Sequence, residues 1–191
     1  MAAFSLLQPT PIIAHQYYEH AFTLEAFCSQ EERNRFVRPT VTFLDTMTIQ
    51  WGSNTLELFH NPGHTLSNIT IDIPQAEIII TGDQTIGNIA YFYYSTPAMI
   101  RGALQRIKSR NRSTVITGHN GVSTLERVEN SLTYLDNLER LVKEVYSIYG
   151  IEGILAIKVE QCVAEAAEVS EFDKFFHPRN LQSVIDRRLF L

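Results

Sequence analysis

The stretch LELFHNPGHT, residues 56–65, is an alternating β-like segment that ends in a proline and glycine turn directly before His64. Two later stretches repeat this arrangement, since IIITGD ends on Asp83 and VITGH ends on His119. In each stretch an apolar run stops at a glycine, and the next residue has a side chain that can ligate a metal ion. The missing Cβ of that glycine permits a tight turn and a close approach to a metal. His64, Asp83 and His119 are therefore the candidate metal ligands.

Two imidazoles and one carboxylate form a ligand set that suits zinc or iron, and the carboxylate can bridge two ions. His64 and Asp83 lie 19 residues apart, and Asp83 and His119 lie 36 residues apart, so only a fold can bring the three together. A single histidine or aspartate at a strand end is more often a surface or capping residue than a ligand. The prediction therefore depends on the joint occurrence of the three stretches.

In this order, with an alternating strand at residues 66–73 and a proline turn between them, the three stretches closely resemble the metallo-β-lactamase superfamily over roughly residues 9–148. The resemblance implies a mixed α/β fold, a partial four-layered αββα sandwich with a metal site at the edge shared by two sheets. It implies that His64 completes a first metal site, that Asp83 bridges two metals and that His119 belongs to the second. It also implies hydrolysis of a small-molecule substrate by a metal-activated hydroxide, with two zinc ions as the family's cofactor and iron or manganese as alternatives.

The family's first metal-binding motif, His-x-His-x-Asp-His, does not occur in the 191 residues. That motif would bring two histidines to the first metal and an aspartate and a histidine to the second. It normally precedes the strand that residues 12–15 resemble, and only eleven residues come before Ile12, so the sequence predicts an N-terminally shortened chain. Neither ion would then have the three protein ligands of a catalytic zinc. We therefore expect a partial, weak metal site and an impaired or inactive hydrolase.

Two other interpretations stay open. The chain could be a non-catalytic, degenerate domain that binds a ligand or a protein, or whose exposed sheet edge pairs with a second copy. It could also be a plain structural domain with coincidental histidines, which ranks last. An in-frame copy of the missing motif directly upstream of Met1 would favour the enzyme, whereas its absence would favour the degenerate domain.

The remaining histidines have more ordinary interpretations than metal binding. His15 ends a short strand at a position that the family does not use as a ligand, and His20 follows five residues later. His60 shares the loop of His64, and contact with solvent or support of the ligand is expected there rather than ligation. His177 precedes a proline and is typical of a residue where a helix begins.

Two further details concern the surroundings of the candidate ligands. The aromatic run at residues 91–94 follows the Asp83 loop and could form a pocket wall, although buried packing is the commoner role of such residues. Asn120 and the pair Leu66-Ser67 stand where the family usually has glycine. Asn120 is a tolerable replacement because asparagine accepts left-handed backbone.

Apolar periodicity and turn residues predict the elements. Strands are predicted at residues 12–14, 41–49, 55–59, 66–73, 78–80 and 114–117, with the second and third forming a hairpin around residues 51–54. Helices are predicted at 96–109, from the capping-box spacing at 123–126 to Val145, from 150 to 169, and at 181–191 after a cap-like segment at 177–180. Residues 17–38 are expected to be a helix or an irregular excursion.

Residues 66–73 alternate isoleucines with polar residues, which is typical of a half-buried strand, and the continuous run 78–80 is typical of a central strand covered on both faces. The order of elements suggests two sheet layers with helices packed outside. We expect a single domain of residues 1–191, with residues 150–191 as a helical extension.

Composition excludes several classes of protein. The net charge is −5, and no basic run is present, so no nucleic-acid partner is expected. Cys28 and Cys162 are far apart and match no Cys-x-x-Cys spacing, so both are expected to be buried thiols. The chain has no secretory signal at its start, and no window approaches the ~20 apolar residues of a membrane span. A soluble, cytoplasmic protein without membrane contact is expected.

Overall fold

A computed structural model of the chain describes residues 11–20, 29, 31 and 36–191. Their strands form a two-stranded sheet and a six-stranded sheet. The strands are β1 (Ile13–His15), β2 (Val41–Phe43), β3 (Thr46–Trp51), β4 (Asn54–His60), β5 (Ile69–Ile73), β6 (Ile78–Gly82), β7 (Thr114–Thr117) and β8 (Val122–Ser123). The α-helices are α1 (Pro97–Arg110), α2 (Leu125–Leu155) and α3 (Glu171–Asp186). This is the mixed α/β architecture that the sequence predicts, with α2 and α3 following the last strand.

The six-stranded sheet follows chain order from β3 to β8. Its neighbouring strands are antiparallel except for β6 and β7, which run parallel because α1 connects them. Since β4 and β6 flank β5 in antiparallel pairs, β4, β6 and β7 all point the same way. The loops that follow these three strands therefore meet at one edge of the sheet.

The predicted strand at residues 41–49 is wrong as a single element, because the chain changes sheets in its middle. Residues 41–43 pair in parallel with β1, whereas β3 begins at Thr46 and forms the predicted hairpin with β4. The two residues between β2 and β3 are held by other segments, since the His15 side chain contacts the Leu44 carbonyl and the His60 backbone donates to the Asp45 carbonyl. Gly52, with φ +60°, makes the hairpin turn.

On strand β5 the polar residues are more deeply buried than the apolar ones. On β5, Thr70 and Asp72 are fully buried, whereas the isoleucines that alternate with them are only half-buried. Asp72 is paired with Arg112, whose Nε lies 2.7 Å from Oδ1 and whose second nitrogen lies 3.1 Å from Oδ2. Thr70 accepts a hydrogen bond from Asn61. The face of β5 that carries these polar residues is therefore the one that the helices cover, and Ile79 of β6 lies in register with Asp72 on it.

The expectation that residues 78–80 are covered on both faces holds on one side only. Ile79 is fully buried, whereas Ile78 and Ile80 are half-buried. Ile80 lies in register with Ile71 on one side and Ile116 on the other, so the second face carries a row of isoleucines. The core lies between the opposite face and the helices, and its fully buried members include Ile79, Val115, Ile100, Leu104, Ile107, Val128, Leu135, Leu138 and Val142.

The helix beginnings test the capping predictions. α1 begins as predicted at Pro97, with the Thr96 hydroxyl accepting a hydrogen bond from the Met99 backbone. α2 begins one residue later than the predicted capping box, because Thr124 rather than Ser123 accepts from a backbone N–H of the first turn. The helix predicted at 150–169 is wrong in most of its length. α2 passes a non-helical residue at Gly150 and ends at Leu155.

The predicted helix start at residues 177–180 is wrong, because those residues lie inside α3. This helix begins at Glu171, where Ser170 and Asp173 form a reciprocal capping box with backbone-to-side-chain distances of 3.2 and 3.0 Å. Pro178 is accommodated within the helix.

The expectation for residues 17–38 falls largely outside the described residues, as does Cys28. Cys162 is a buried free thiol, and burial raises its pKa to about 12. In the described part of the chain, no helix has the length and apolarity required to cross a membrane.

Candidate metal centre

The loops after β4, β6 and β7 bring the three predicted ligands to one edge of the sheet. Asp83 follows β6 and His119 follows β7, and these parallel strands place Nε2 of His119 3.6 Å from Oδ1 of Asp83. Both side chains are accessible, with exposed fractions of 54% for His119 and 41% for Asp83. His64 follows β4 and is close enough for the charges of both residues to affect its pKa. The structure thus gathers three residues that are spread over 56 positions of the sequence.

Glycine at position 118 allows the Asp83 and His119 loops to touch. A Cβ on Gly118 would overlap Oδ1 of Asp83 and would lie 2.9 Å from the carbonyl carbon of Gly82. The backbone N–H of Gly118 donates a 2.8 Å hydrogen bond to the Gly82 carbonyl, which ties the two loops together. Gly82 itself has φ +56°, a conformation that other residues rarely adopt. Gly82 and Gly118 therefore permit the tight turn and the close approach of the two loops.

Gln84 links the His64 turn to the Asp83 loop. Its buried side chain accepts a 2.8 Å hydrogen bond from the His64 backbone and donates to the Asn61 carbonyl. Asn61 in turn accepts from Arg106 of α1 at 2.7 Å. Because Gln84 directly follows Asp83, one amide fixes the separation of two candidate ligands. Gln84 belongs to no motif of its own, so its role could not be predicted from the sequence.

The imidazole of His64 is the most enclosed of the three donors. Its ring lies 5.8 Å from the rings of both Tyr91 and Tyr94. Nδ1 is buried and has no hydrogen-bond partner among the described residues. Burial lowers the pKa of His64, the Asp83 carboxylate and a hydrogen bond with the Tyr91 backbone oppose that shift, and His119 adds to it. A neutral imidazole with a free buried nitrogen is the form of histidine that binds a metal ion.

The donors fit one metal ion better than two. Their chemistry suits zinc or iron, and the unpaired Nδ1 of His64 is an otherwise costly buried polar atom that an ion would satisfy. In the described part of the chain, however, no three His, Cys, Asp or Glu side chains converge closely enough to form a ready ligand set. Two ions would each need about three protein ligands. The described residues therefore do not fit a dinuclear centre.

Asn120 shows why a departure from the family's glycine is tolerated. It has φ +65°, in the left-handed region that asparagine accepts more readily than most residues. Its side chain donates a 2.6 Å hydrogen bond to the Ile86 carbonyl. The substitution thus adds a tie between the His119 loop and the segment after Asp83.

His15 and His60 form a structural pair rather than additional donors. Their rings stack with centroids 3.7 Å apart. His15 accepts a hydrogen bond from the Tyr17 backbone at Nδ1 and lies 2.6 Å from the Leu44 carbonyl through Nε2. His60 Nε2 lies 2.7 Å from the Leu66 carbonyl, so it braces the loop that carries His64. This support from His60 agrees with the sequence-based expectation, while His20 is exposed on the surface.

His177 is buried in a hydrogen-bonded network, not at the start of a helix. The Tyr134 hydroxyl lies 2.8 Å from Nδ1, and Nε2 lies 3.0 Å from the Ile157 carbonyl, so Nδ1 accepts while Nε2 donates. Asn180 donates to the Tyr134 hydroxyl and to the Ala90 carbonyl. Burial lowers the pKa of His177 and raises that of Tyr134. This network joins α2, α3 and the segment after Asp83.

An aromatic wall from α3 closes one side of the candidate centre. The Phe172 ring lies 5.8 Å from His119 and 4.3 Å from Phe176, and Phe176 lies 4.6 Å from Tyr91 beside His64. The run at residues 91–94 thus combines both expected roles, since Phe92 is in the core while Tyr91 contacts the wall. The contribution of α3 was not predicted. The spacing of Phe172 and Phe176, one helical turn apart, is the signal that was available.

Comparisons with known proteins agree with this architecture. A sequence model of the metallo-beta-lactamase superfamily matches residues 2–119. A metallo-beta-lactamase from Pontibacter korlensis is 22% identical with a TM-score of 0.56, over 72% of this chain and 62% of that one. A stereoselective inverting sec-alkylsulfatase from Pseudomonas sp. is 15% identical with a TM-score of 0.59, over 82% and 27%. The B3 metallo-beta-lactamase BLEG-1 is 16% identical with a TM-score of 0.52, over 70% and 68%.

Low sequence identity and partial coverage limit what these structural similarities show. At 15–22% identity they show the fold alone. The chain spans less than two thirds of the length of the first two structures described. A search of curated proteins finds no match.

Proposed function

The chain belongs to the metallo-beta-lactamase superfamily, and from that premise we propose that it is a metal-dependent hydrolase by descent in which His64, Asp83 and His119 bind a divalent metal ion. The observation that carries this proposal is the buried, unpaired Nδ1 of His64 beside the Asp83 and His119 pair. An unsatisfied nitrogen at a buried site needs an explanation, and an ion supplies one. Zinc is the proposed metal because it accepts mixed imidazole and carboxylate ligands, with iron or manganese as alternatives.

The chain's own residues would prepare the site in a definite way. A divalent ion, when bound, lowers the pKa of a coordinated water and so supplies a hydroxide for hydrolysis. Gln84 holds the turn of His64, and the Gly118 N–H holds the loop of His119 against that of Asp83. Tyr91 and Tyr94 shield the imidazole of His64 from water and keep it neutral.

We further propose that hydrolysis by this chain on its own is impaired. Three donors leave each ion of a dinuclear centre short of ligands, and the His-x-His-x-Asp-His motif that would add four is not among the 191 residues. The substrate would be a small molecule. The neighbours by fold include lactamases and a sulfatase, so both β-lactams and sulfate esters belong in a substrate screen.

Metal analysis of the purified chain tests the metal site. After saturation with zinc and dialysis, the expected content is about one ion per chain or less. Asp83→Ala and His119→Ala should both lower it, whereas Glu165→Ala, which removes an exposed carboxylate from the loop before α3, should leave it unchanged. Two retained equivalents that are lost in Asp83→Ala would mean that further ligands exist. Equal zinc content in all variants would refute the proposed ligands.

A second candidate function is a non-catalytic domain that binds a ligand or a protein. The absence of a convergent ligand set among the described residues favours it. Assays of ester, thioester, β-lactam, phosphodiester and sulfate ester hydrolysis separate the two functions. They should be run on the chain alone and after an in-frame segment with the missing motif is added upstream. Activity that requires the added segment and disappears in His119→Ala supports the hydrolase, whereas inactivity of both supports the binding domain.

Self-association through a sheet edge is a further proposal. Strand β3 lies at one edge of the six-stranded sheet, and Trp51 at its end is 71% exposed. Unpaired backbone groups on such an edge can pair with a second copy. Sedimentation should then give a concentration-dependent mass that Thr48→Pro, on the edge strand, reduces to that of a monomer. A monomer at all concentrations would contradict this proposal.

A further inference from the structure

We propose that α3 provides a substrate subsite beside the candidate metal centre, one that binds an apolar group carrying an oxyanion such as a sulfate or carboxylate. This inference rests on the proposed function, because it assigns a substrate class to the same site. Helix α3 lies outside residues 2–119, the part of the chain that the superfamily model matches. Its Phe172 ring nevertheless contacts His119, and its Phe176 ring contacts Tyr91, which lies beside His64.

Two lines of aromatic contacts lead from the donors to one ring. From His119 the contacts run through Phe172 to Phe176, with centroid distances of 5.8 and 4.3 Å. From His64 they run through Tyr91 to Phe176, with distances of 5.8 and 4.6 Å. Phe176 therefore lies at the convergence of both lines. An apolar group resting on this wall would have its other end directed toward the donors.

A positive charge lies beside the wall. The guanidinium carbon of Arg179 is 4.3 Å from the Phe175 ring centroid and 5.3 Å from that of Phe176. Burial raises the pKa of Tyr91, and the charge of Arg179 and a hydrogen bond with the Arg179 side chain oppose that shift, so the guanidinium also contacts the Tyr91 hydroxyl. In the described part of the chain no carboxylate forms an ion pair with Arg179, although most other arginines of the helices have one.

The aromatic surface of α3 is more exposed to solvent than side chains that pack in the core. Phe175 is 58% exposed, and Phe172 and Phe176 are only half-buried. They line a shallow cleft of about 730 Å³ along α3, with the Glu171 and Lys174 ion pair at its rim. That volume is within the range of small-molecule sites. Aromatic rings combined with one guanidinium that has no carboxylate partner match a ligand that has an apolar body and an oxyanion.

Octyl sulfate is the probe that tests this subsite, and calorimetric titration of metal-free protein measures its binding. Titrations of octanol and of inorganic sulfate, carried out in the same way, separate the contributions of the octyl chain and the sulfate group to binding. We expect octyl sulfate to bind most tightly of the three. Arg179→Gln should weaken octyl sulfate about tenfold, as expected for the loss of one charge-assisted contact, and leave octanol unchanged. Phe176→Leu should weaken both octyl ligands severalfold.

Two controls keep the result interpretable. Arg140→Gln removes an exposed arginine of α2 that is paired with Glu144, and it should bind octyl sulfate like the unaltered chain. Arg179→Lys retains a charge and should bind with intermediate affinity, and thermal melts of each variant verify folding. Equal octyl sulfate affinity in the unaltered chain and Arg179→Gln, or inorganic sulfate binding as tightly as octyl sulfate, would overturn the inference.

The test also separates this inference from the proposed metal site. Octyl sulfate binding that is retained in His119→Ala, while zinc content falls, supports both the subsite and the donors. Normal probe binding with zinc content unaffected by His119→Ala would support the subsite and refute the proposed metal ligands. Zinc loss in His119→Ala without any saturable probe binding would support the metal site and overturn the subsite.

Discussion

His64 and His177 are both withdrawn from water, and burial lowers the pKa of each, yet their ring nitrogens have opposite surroundings. His177 uses both nitrogens inside the protein, with Tyr134 on one side and the Ile157 carbonyl on the other. Nδ1 of His64 has no such partner among the described residues. Protein interiors almost always satisfy buried polar atoms. From the unsatisfied nitrogen we infer that His64 binds a ligand, whereas the paired nitrogens of His177 stabilise the fold.

The same distinction separates the two regions around them. The His177 network joins three segments through Tyr134 and Asn180, whose side chains bond to each other and to the backbone. At the edge that carries the candidate donors, Asp83 and His119 are partly exposed, with their side chains 3.6 Å apart. We infer that the network contributes to stability and that the edge contributes to binding. Substitutions in each region should therefore have different consequences.

The largest expected effect is on stability, in His177→Ala. This change removes the acceptor of the Tyr134 hydroxyl proton and the donor to the Ile157 carbonyl, and it opens a cavity, so the free energy of unfolding should fall by about 3 kcal/mol. Urea denaturation measures it. His119→Ala is the matched control, because that side chain is 54% exposed and its loss should lower stability by less than about 0.5 kcal/mol. If His119→Ala lowered the free energy of unfolding as much as His177→Ala, the proposed difference between the two regions would be contradicted.

A smaller loss of stability is expected when a methyl group is added at Gly118, at the edge that carries the candidate donors. In Gly118→Ala the new Cβ would overlap Oδ1 of Asp83, so the loops must separate, and the free energy of unfolding should fall by about 1–2 kcal/mol. Zinc content should fall with it. Gly121→Ala is the control, since Gly121 has φ +71° but no atom within 4 Å of the place where the added methyl group would lie, so only backbone strain results. Zinc retention in Gly118→Ala equal to that in Gly121→Ala would contradict the role of loop contact.

The smallest effect concerns pH. Burial lowers the pKa of His177 below its ordinary value of 6.5, with the Ile157 carbonyl and Glu160 opposing the shift. A histidine with a depressed folded pKa takes up its proton more readily in the unfolded chain, so the free energy of unfolding falls as pH drops below about 6.5. In His177→Gln this pH dependence should be weaker between about pH 7 and pH 5. Identical slopes for both proteins would show that His177 is not buried in its neutral form.

Capping residues and apolar runs in the sequence correctly predicted the helices and strands whose limits depend on nearby residues. Thr96 and Pro97 marked the start of α1, and the apolar run 114–117 coincides with β7. The position of α3 was misjudged because Pro178 suggested a boundary, whereas the capping box of Ser170 and Asp173 determines where the helix begins.

Features that depend on distant residues were not visible in the sequence. Asp72 occupies a buried position because Arg112, 40 residues later, neutralises it. Hydrophobicity alone favours the opposite face of β5. The candidate donors could be chosen from motifs, but the contribution of Phe176 to their surroundings required the packing of α3 against the sheet edge. Tertiary contacts of this kind have no local signature beyond spacing on the helix.

Zinc-soaked crystals of the chain, studied by anomalous diffraction at the zinc edge, test the central claim most directly. We predict an anomalous peak between the loops of β4, β6 and β7, with imidazole nitrogens of His64 and His119 and a carboxylate oxygen of Asp83 at about 2.0–2.2 Å from the ion. A peak at His15, His60 or His177 with none at this edge would contradict it. So would the absence of any peak at a zinc concentration that saturates the chain in solution.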